Sequence, residues 1–430
     1  MVFRPELSWE FLSADEIESR SVRGVRNHVR HVKEVSPHYQ NALFDVFPED
    51  IKTADDIRKL PFTEKSDLVE DTDLFLGVVP EQIVETVITS GSTGKPLVFS
   101  MTANDVDRLA FNEALSFYAA GVTPLDRAQV LVSLDRLFIA GMAYYRGLSL
   151  LGVNTARIGV LPFDMQKHYI ELLKPNVVVG VPSFLLKLAR ELNKLSFDPK
   201  NATIRKIFCI GESIRGQDME LNQVGKALEE FYNAKVYSTY ASTELSCAYC
   251  ECTAQYGGHG HPELVYTEIV DESGNPVADG QPGELVATPL GVEGVPLVRY
   301  KTGDITFKLP GTCACGRNSI RVGPILARKA HMIKLKGTTV YPLAITNVLD
   351  SLEGIDDYII IIEDDESLSD RVSIHVATMP SNLEKIGSQL RAQARVQIPV
   401  LVSNVATINH HREQCAKKVR VVDKRKRRAK

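Results

Sequence analysis

Residues 176–181 read NVVVGV, a β-branched run with an amphipathic stretch directly after it. This predicts a buried strand and then a helix over 183–194. The same couplet recurs along the first 240 residues. Short apolar strands are expected at 86–88, 128–132, 207–210 and 235–239. Helical periodicity falls between them at 104–120 (behind a Thr102 cap), 142–151 and 217–232. A charged amphipathic helix over 13–35, with Ser13 as its N-cap, precedes the series. Alternation of this kind favours an open, largely parallel sheet covered by helices. After about Glu263 the texture changes. Segments 265–270 and 284–288 are joined by the turn-rich ESGNPVADGQPG, which suggests antiparallel β structure. The last hundred or so residues suit a small α+β unit, with helices at 342–352 and 381–394 and strands at 358–363, 372–377 and 400–405. The expectation is an α/β chain with a large N-terminal domain (1–327) of helix-covered sheets and a β-rich subdomain, followed by a small α+β domain (328–430).

Composition excludes several classes. At 44% hydrophobic and 24% charged, the 430 residues are neither disordered nor fibrous. No apolar run reaches the roughly 18 residues of a membrane span. The opening MVFRPELSWEF lacks a secretory layout, and seven irregularly spaced cysteines argue against a disulfide framework. A cytoplasmic location without membrane association is expected. Net charge is −4, but the last fourteen residues carry nine basic side chains and one acid, leaving −12 for the rest. Such a tail alone is compatible with a nucleic-acid or targeting patch, although no aromatic residue interleaves it.

The most informative segment is Thr89-Ser90-Gly91-Ser92-Thr93-Gly94-Lys95-Pro96. Two glycines allow a tight turn whose N–H groups converge on an anion, and the hydroxyls and lysine add donors and charge. Two residues separate the glycines and Pro96 follows the lysine, so this is not the nucleoside-triphosphatase loop. An exposed flexible loop is the plain alternative.

TSGSTGKP resembles the phosphate loop of the AMP-forming adenylating enzymes, the acyl-CoA synthetases and their relatives. Tyr240-Ala241-Ser242-Thr243-Glu244 is similar to that superfamily's nucleotide motif, and Tyr300-Lys301-Thr302-Gly303-Asp304 to its ribose motif. LPFTEKSDL (60–68), GMAYYRGLSLLG (141–152), VPSFLLKLA (181–189) and GTCACGR (311–317) resemble the phenylacetate–CoA ligase branch. The likeness runs from about Leu60 to Arg425.

The resemblance implies the following roles. The loop Thr89, Ser90, Gly91, Ser92, Thr93, Gly94 and Lys95 would cradle the β- and γ-phosphates of ATP. Glu244 would hold Mg²⁺, Tyr240 would stack on adenine beside Ala241 and Ser242, and Thr243 would support the α-phosphate. Asp304 would accept both ribose hydroxyls, and Gly211 with Glu212 would flank the adenine, Glu212 with a purely structural alternative. Arg328 matches a junction arginine that contacts ribose or phosphate. Where the family has an acidic hinge residue, this chain has Ala330-His331. The segment from Ala416 to Arg425 resembles the family's closing motif and puts Lys417 on the lysine that bridges carboxylate and α-phosphate, with Lys418 as a nearby rival. Arg420 and Arg425 belong to the same pattern.

Cys252, His259, Cys313 and Cys315 would make a structural zinc site, with Cys247, Cys250 and His261 as nearby substitutes and simple reduced cysteines as the alternative. Gly141, Tyr144, Tyr145 and Arg146 align with the helix lining an aryl pocket, although a core helix explains the same residues. Arg146 inside that apolar helix requires a partner, and a polar substrate group is one option. The implied activity is ATP-dependent activation of an aryl or arylacetic acid to an acyl-adenylate, then transfer to coenzyme A, with release of AMP and pyrophosphate. A carrier-protein phosphopantetheine is the alternative acceptor, and a non-catalytic nucleotide-binding descendant is a further one. No nucleic-acid partner is expected, and a homodimer is compatible with the family.

Overall fold

The computed structural model describes residues 5–89, 97–329, 332–335, 338–364, 370–393, 397–413 and 420–425. Among these, eight strands form a central sheet in the order Arg321–Val322, Gly258–His259, Cys247–Glu251, Lys235–Ser242, Lys206–Ile210, Val177–Gly180, Arg127–Val130 and Asn154–Arg157. From Lys235–Ser242 to Asn154–Arg157 neighbouring strands are parallel, and from Lys235–Ser242 to the opposite edge they are antiparallel.

The pleat sorts the apolar strands onto two covered faces. Val177, Val179, Phe208, Ile210 and Tyr237 join Ala114, Phe117, Tyr144 and Leu148 from the helices Ala103–Ala119 and Ile139–Leu150. Val178, Ile207, Cys209 and Val236 join Ile170, Leu185, Leu188, Leu192 and Leu228 from the helices Phe163–Leu173, Pro182–Lys194 and Gln223–Tyr232. Burial on both faces explains why these strands read as continuous apolar runs.

Local chemistry sets several boundaries. Ser13 and Thr102 accept from the backbone N–H of Glu16 and Asp105, whose carboxylates reach back to the caps, so the helices begin at Ala14 and Ala103. The helix expected over 217–232 begins only at Gln223. Asn222 caps it by accepting from Gly225 N at 3.0 Å, and a turn closed by Gly216 N to Glu220 O (2.9 Å) occupies the preceding residues. The strand expected over 400–405 likewise ends at Val402. Asn404 accepts from Thr407 N at 2.7 Å at the start of a helix, Val405–Glu413, that periodicity did not disclose.

A second sheet is antiparallel throughout, in the order Val265–Val270, Gly283–Pro289, Tyr300–Thr306, Ala327–Arg328. The N-terminal helix Ala14–Val35 lays Val22, Val25, Val29 and Val32, spaced at three and four residues, into the cluster that also holds Val265, Ile269, Leu285 and Ala287. The C-terminal part is a smaller α+β unit. Ile355–Asp364 and Asp370–Thr378 pair antiparallel and are flanked by parallel Val421–Asp423 and Val400–Val402. Arg420 pairs with Asp350, and Arg425 with Asp423, with Asp370 at 3.0 Å and with the Met332 carbonyl at 2.9 Å. The two arginines therefore fasten the last described strand. Among the described residues no helix is long and apolar enough to cross a membrane.

Candidate active site

A cavity of about 510 Å³ opens where the central sheet changes from parallel to antiparallel. Strand polarity puts the carboxyl ends of Lys206–Ile210 and Lys235–Ser242 at its wall, where open α/β sheets commonly bind ligands. Gly211 follows the first of these with φ +74°, and a Cβ there would meet nothing within 4 Å, so the backbone is bare toward the cavity. Glu212 lines the cavity and also accepts from Ser183 N (2.9 Å) and Ser183 Oγ (2.7 Å), capping the helix Pro182–Lys194. Tyr240, Ala241, Ser242, Thr243 and Glu244 follow along the rim. Glu244 accepts from Ser242 Oγ at 2.5 Å.

Asp304 faces them from the second sheet and is only 3% exposed. One carboxylate oxygen accepts from Tyr240 Oη (2.8 Å) and the other meets Arg328 Nε (3.0 Å). Burial pushes this carboxyl above its ordinary range, and Arg328 and Tyr240 act against that push. Thr89 lies at the same cavity and closes the hairpin base, its N–H bonded to Leu97 O (2.9 Å) and its Oγ1 accepting from Leu97 N (3.0 Å). Ser90, Gly91, Ser92, Thr93, Gly94 and Lys95, the Ala330-His331 pair and Lys417 lie outside the described residues.

The aligned helix Ile139–Leu150 contributes unequally. Tyr144 lines the cavity, with Ile139, Ala140 and Ala143 around it. Tyr145 lies outside the lining, under the guanidinium of Arg157 at 4.8 Å. Gly141 packs so tightly that a Cβ would fall 2.1 Å from the Ser133 carbonyl oxygen. Arg146 is a correction. Its side chain is 42% exposed and pairs with Asp107 at 2.7 Å, so its partner is a surface carboxylate on the neighbouring helix rather than a substrate group.

Cys252, His259, Cys313 and Cys315 converge, with their ligand atoms all within 4.8 Å of one another. Cys252 and Cys313 sulfurs are 3.6 Å apart, as are Cys315 Sγ and His259 Nε2. His259 Nδ1 meets Ser319 Oγ at 2.9 Å, and Ser319 donates to Glu10, which also pairs with Arg317 at 3.0 Å. Among the named substitutes, Cys250 takes a hydrogen bond from Thr239 Oγ1 (3.2 Å), and His261 Nε2 meets Ser116 Oγ (3.0 Å). Cys247 lines the cavity instead.

A family model described as AMP-binding enzyme matches residues 35–292. The chain belongs to the AMP-binding enzyme family. A phenylacetate-coenzyme A ligase of Thermus thermophilus is 28% identical over 431 residues, covering 98% of this chain and 93% of that protein. A phenylacetate-coenzyme A ligase of Escherichia coli is 29% identical, covering 87% and 85%. In overall fold the chain resembles a 2-hydroxyisobutyryl-CoA ligase solved in a postadenylation state, with a TM-score of 0.84 at 22% identity over 96% of this chain and 91% of that one.

Two features of this AMP-binding enzyme's cavity escaped the motifs. Arg215 and Glu251 form a buried, two-pronged ion pair in its lining. One prong spans 3.1 Å, and Glu251 also accepts from Ser238 N at 2.9 Å. The other feature is Glu113, on the helix Ala103–Ala119, which lines the cavity and is 2% exposed. Burial pushes its carboxyl from 4.5 up to about 8. The only advance signal was an acid beside Asn112 in a largely apolar stretch of the helix, and acids are common on helices.

That shift has a stability consequence. Above pH 4.5 the unfolded carboxyl ionises while the folded one keeps its proton, so folding is penalised increasingly up to about pH 8. Glu113→Gln should therefore gain on the wild type by at most about 1.4 kcal/mol per pH unit across that window. Urea midpoints measured at intervals from pH 5 to 8 check this, and a difference that stays flat with pH contradicts it.

Proposed function

We propose that this chain is an AMP-forming acid–thiol ligase. It joins an aryl or arylacetic acid to ATP, releases pyrophosphate, and passes the acyl group from the adenylate to coenzyme A with loss of AMP. The observation carrying this reading is a buried carboxylate, Asp304, gripped by Tyr240 and Arg328 in the cavity that also receives the Thr243-Glu244 turn. The likeness to phenylacetate-coenzyme A ligases supports it.

In the first step the acid's carboxylate oxygen attacks the α-phosphorus, and the bridging bond to the β-phosphate breaks. Two anions must meet, so the protein's work is positioning and charge neutralisation. Asp304 would accept from both ribose hydroxyls. Tyr240, whose hydroxyl is tied to Asp304, would offer its ring to adenine beside the bare backbone of Gly211. Arg328 and Thr243 would meet the ribose–phosphate end, and the 89–95 loop the departing pyrophosphate. Lys417, on a C-terminal domain of residues 328–430 that turns about its junction, would bridge the carboxylate and the α-phosphate. In the second step the thiol sulfur attacks the acyl carbon, loses its proton and displaces AMP.

Glu244 is a hard oxygen donor on the cavity wall, anchored by Ser242, and suits Mg²⁺. When bound, that ion neutralises charge on the triphosphate. The Cys252, His259, Cys313 and Cys315 set suits a structural zinc. Zn–S bonds of about 2.3 Å in a tetrahedron hold sulfurs roughly 3.8 Å apart, close to the separation of Cys252 and Cys313. The Glu10–Ser319–His259 chain is the kind of support that orients a ligating imidazole. A thiolate-held zinc fits the reducing cytoplasm.

The decisive measurement is exchange of labelled pyrophosphate into ATP across a panel of aryl and aliphatic acids. Aryl acids should support exchange, and coenzyme A should then release AMP. Exchange with no acid would overturn the ligase reading, and AMP release with a carrier protein but never coenzyme A would overturn the acceptor. Lys417→Ala should abolish exchange yet leave thioester formation from supplied acyl-adenylate largely intact.

For the cysteine cluster, purified protein should contain one zinc per chain by elemental analysis. Cys313→Ser should lose the metal and melt several degrees lower. Metal-free wild type with an unchanged melting temperature would discard the zinc.

A further inference from the structure

Glu113 has a position that the proposed chemistry leaves unused. Its helix is drawn against Ile139–Leu150 at Gly147, where a Cβ would fall 2.3 Å from Glu113 Cβ and 3.0 Å from Ala114 N. Any side chain at 147 would force the helices apart. The close approach leaves an acidic side chain in a cavity lining that also includes Leu109, Ala143 and Cys247. Among the described residues no hydrogen bond or ion pair reaches the Glu113 carboxyl, and none reaches the hydroxyl of its neighbour Tyr144. Two other polar groups of this region are engaged, Tyr249 with Thr267 at 2.7 Å and Cys250 with Thr239 at 3.2 Å. A buried carboxyl without a partner is costly, and a cavity wall is where a ligand can supply that partner.

We propose that Glu113, with Tyr144, receives a hydroxyl or amino group on the ring of the aromatic acid, making the substrate a hydrogen-bonding aryl acid rather than an unsubstituted one. This rests on the ligase reading, which assigns the part of the cavity with Asp304, Tyr240 and Arg328 to the nucleotide. A carboxyl keeps acceptor lone pairs whether or not it carries its proton, and a phenol can donate or accept, so the pair serves either substituent. A neutral group fits better than a fixed cation. Burial holds the Glu113 carboxyl toward its protonated form, and no charged group among the causes of its shift opposes that. Sites built around a substrate hydroxyl or amine reject the analogue lacking it far more strongly than apolar pockets separate substrates by size.

The test pairs turnover with binding. Coenzyme A-dependent AMP release is compared for benzoate and phenylacetate, their ring-hydroxy and ring-amino derivatives, and a derivative bearing a quaternary ammonium. Wild type, Glu113→Leu and Glu113→Gln are assayed, with calorimetric binding of each acid in parallel. Wild type should favour a hydroxy or amino acid by about a hundredfold or more in kcat/KM. Glu113→Leu should erase or invert that preference, and Glu113→Gln should keep part of it. Wild-type preference within threefold, first place for the ammonium acid, or an unchanged ratio in active Glu113→Leu would each overturn the assignment while leaving the ligase reading intact. Glu113-dependent binding without turnover of any acid would overturn the ligase reading and keep the pocket. Binding of no acid would overturn both.

Discussion

The reversal of strand direction at Lys235–Ser242 is the constraint on which the cavity depends. Parallel strands need helical crossovers, which cover both faces and leave no room for a ligand along the sheet. Where the next strand, Cys247–Glu251, instead runs back antiparallel, the turn between them carries Thr243 and Glu244 over the carboxyl ends of the parallel strands. The opening is thus a topological product, and its rim is built from whichever residues end the two central strands.

Asp304 converts that opening into a site shared by two sheets. It sits opposite Arg328 in the ladder of the second sheet and reaches Tyr240 of the central one. A carboxylate this buried is tolerable only when both oxygens are occupied by donors or a cation. Each partner therefore fixes the orientation of the others. Two further buried pairs act in the same way, Arg215 with Glu251 at the cavity and Arg299 with Glu268 in the second-sheet region, the latter two-pronged at 2.9 Å. Buried ion pairs add little net stability, so their effect here is better understood as holding geometry.

How much was legible in the sequence follows from range. Capping boxes such as Ser13 with Glu16 and Thr102 with Asp105 lie within four residues, and those helix starts were readable. Asn222 and Asn404 are equally local, but apolar periodicity running through them outweighed the cap. The cavity motifs were readable as motifs. The cysteine set was readable as residues, although its convergence depends on His259 pairing with Cys250 on one side and Arg321 on the other. Helix rotation was not readable. Tyr144, Tyr145 and Arg146 are consecutive, and 100° per residue sends the first into the cavity and the third to Asp107. Which of them faces inward is set by Gly141 packing against Ser133 and Gly147 against the neighbouring helix at Glu113.

Gly147 also shows why an unremarkable acid can become a determinant of recognition. Had residue 147 carried a side chain, the two helices would stand apart and Glu113 could hydrate. Without one, they close, and the carboxyl must find its partner in the cavity or remain neutral. On the proposed reading, activation chemistry and substrate choice reside on different elements. Asp304, Tyr240 and Glu244 belong to the sheets and the turn between strands, whereas Glu113 and Tyr144 belong to a pair of helices laid across them. Substitutions on those helices can retune the acid without disturbing the nucleotide end, provided the glycine contact that sets their spacing survives.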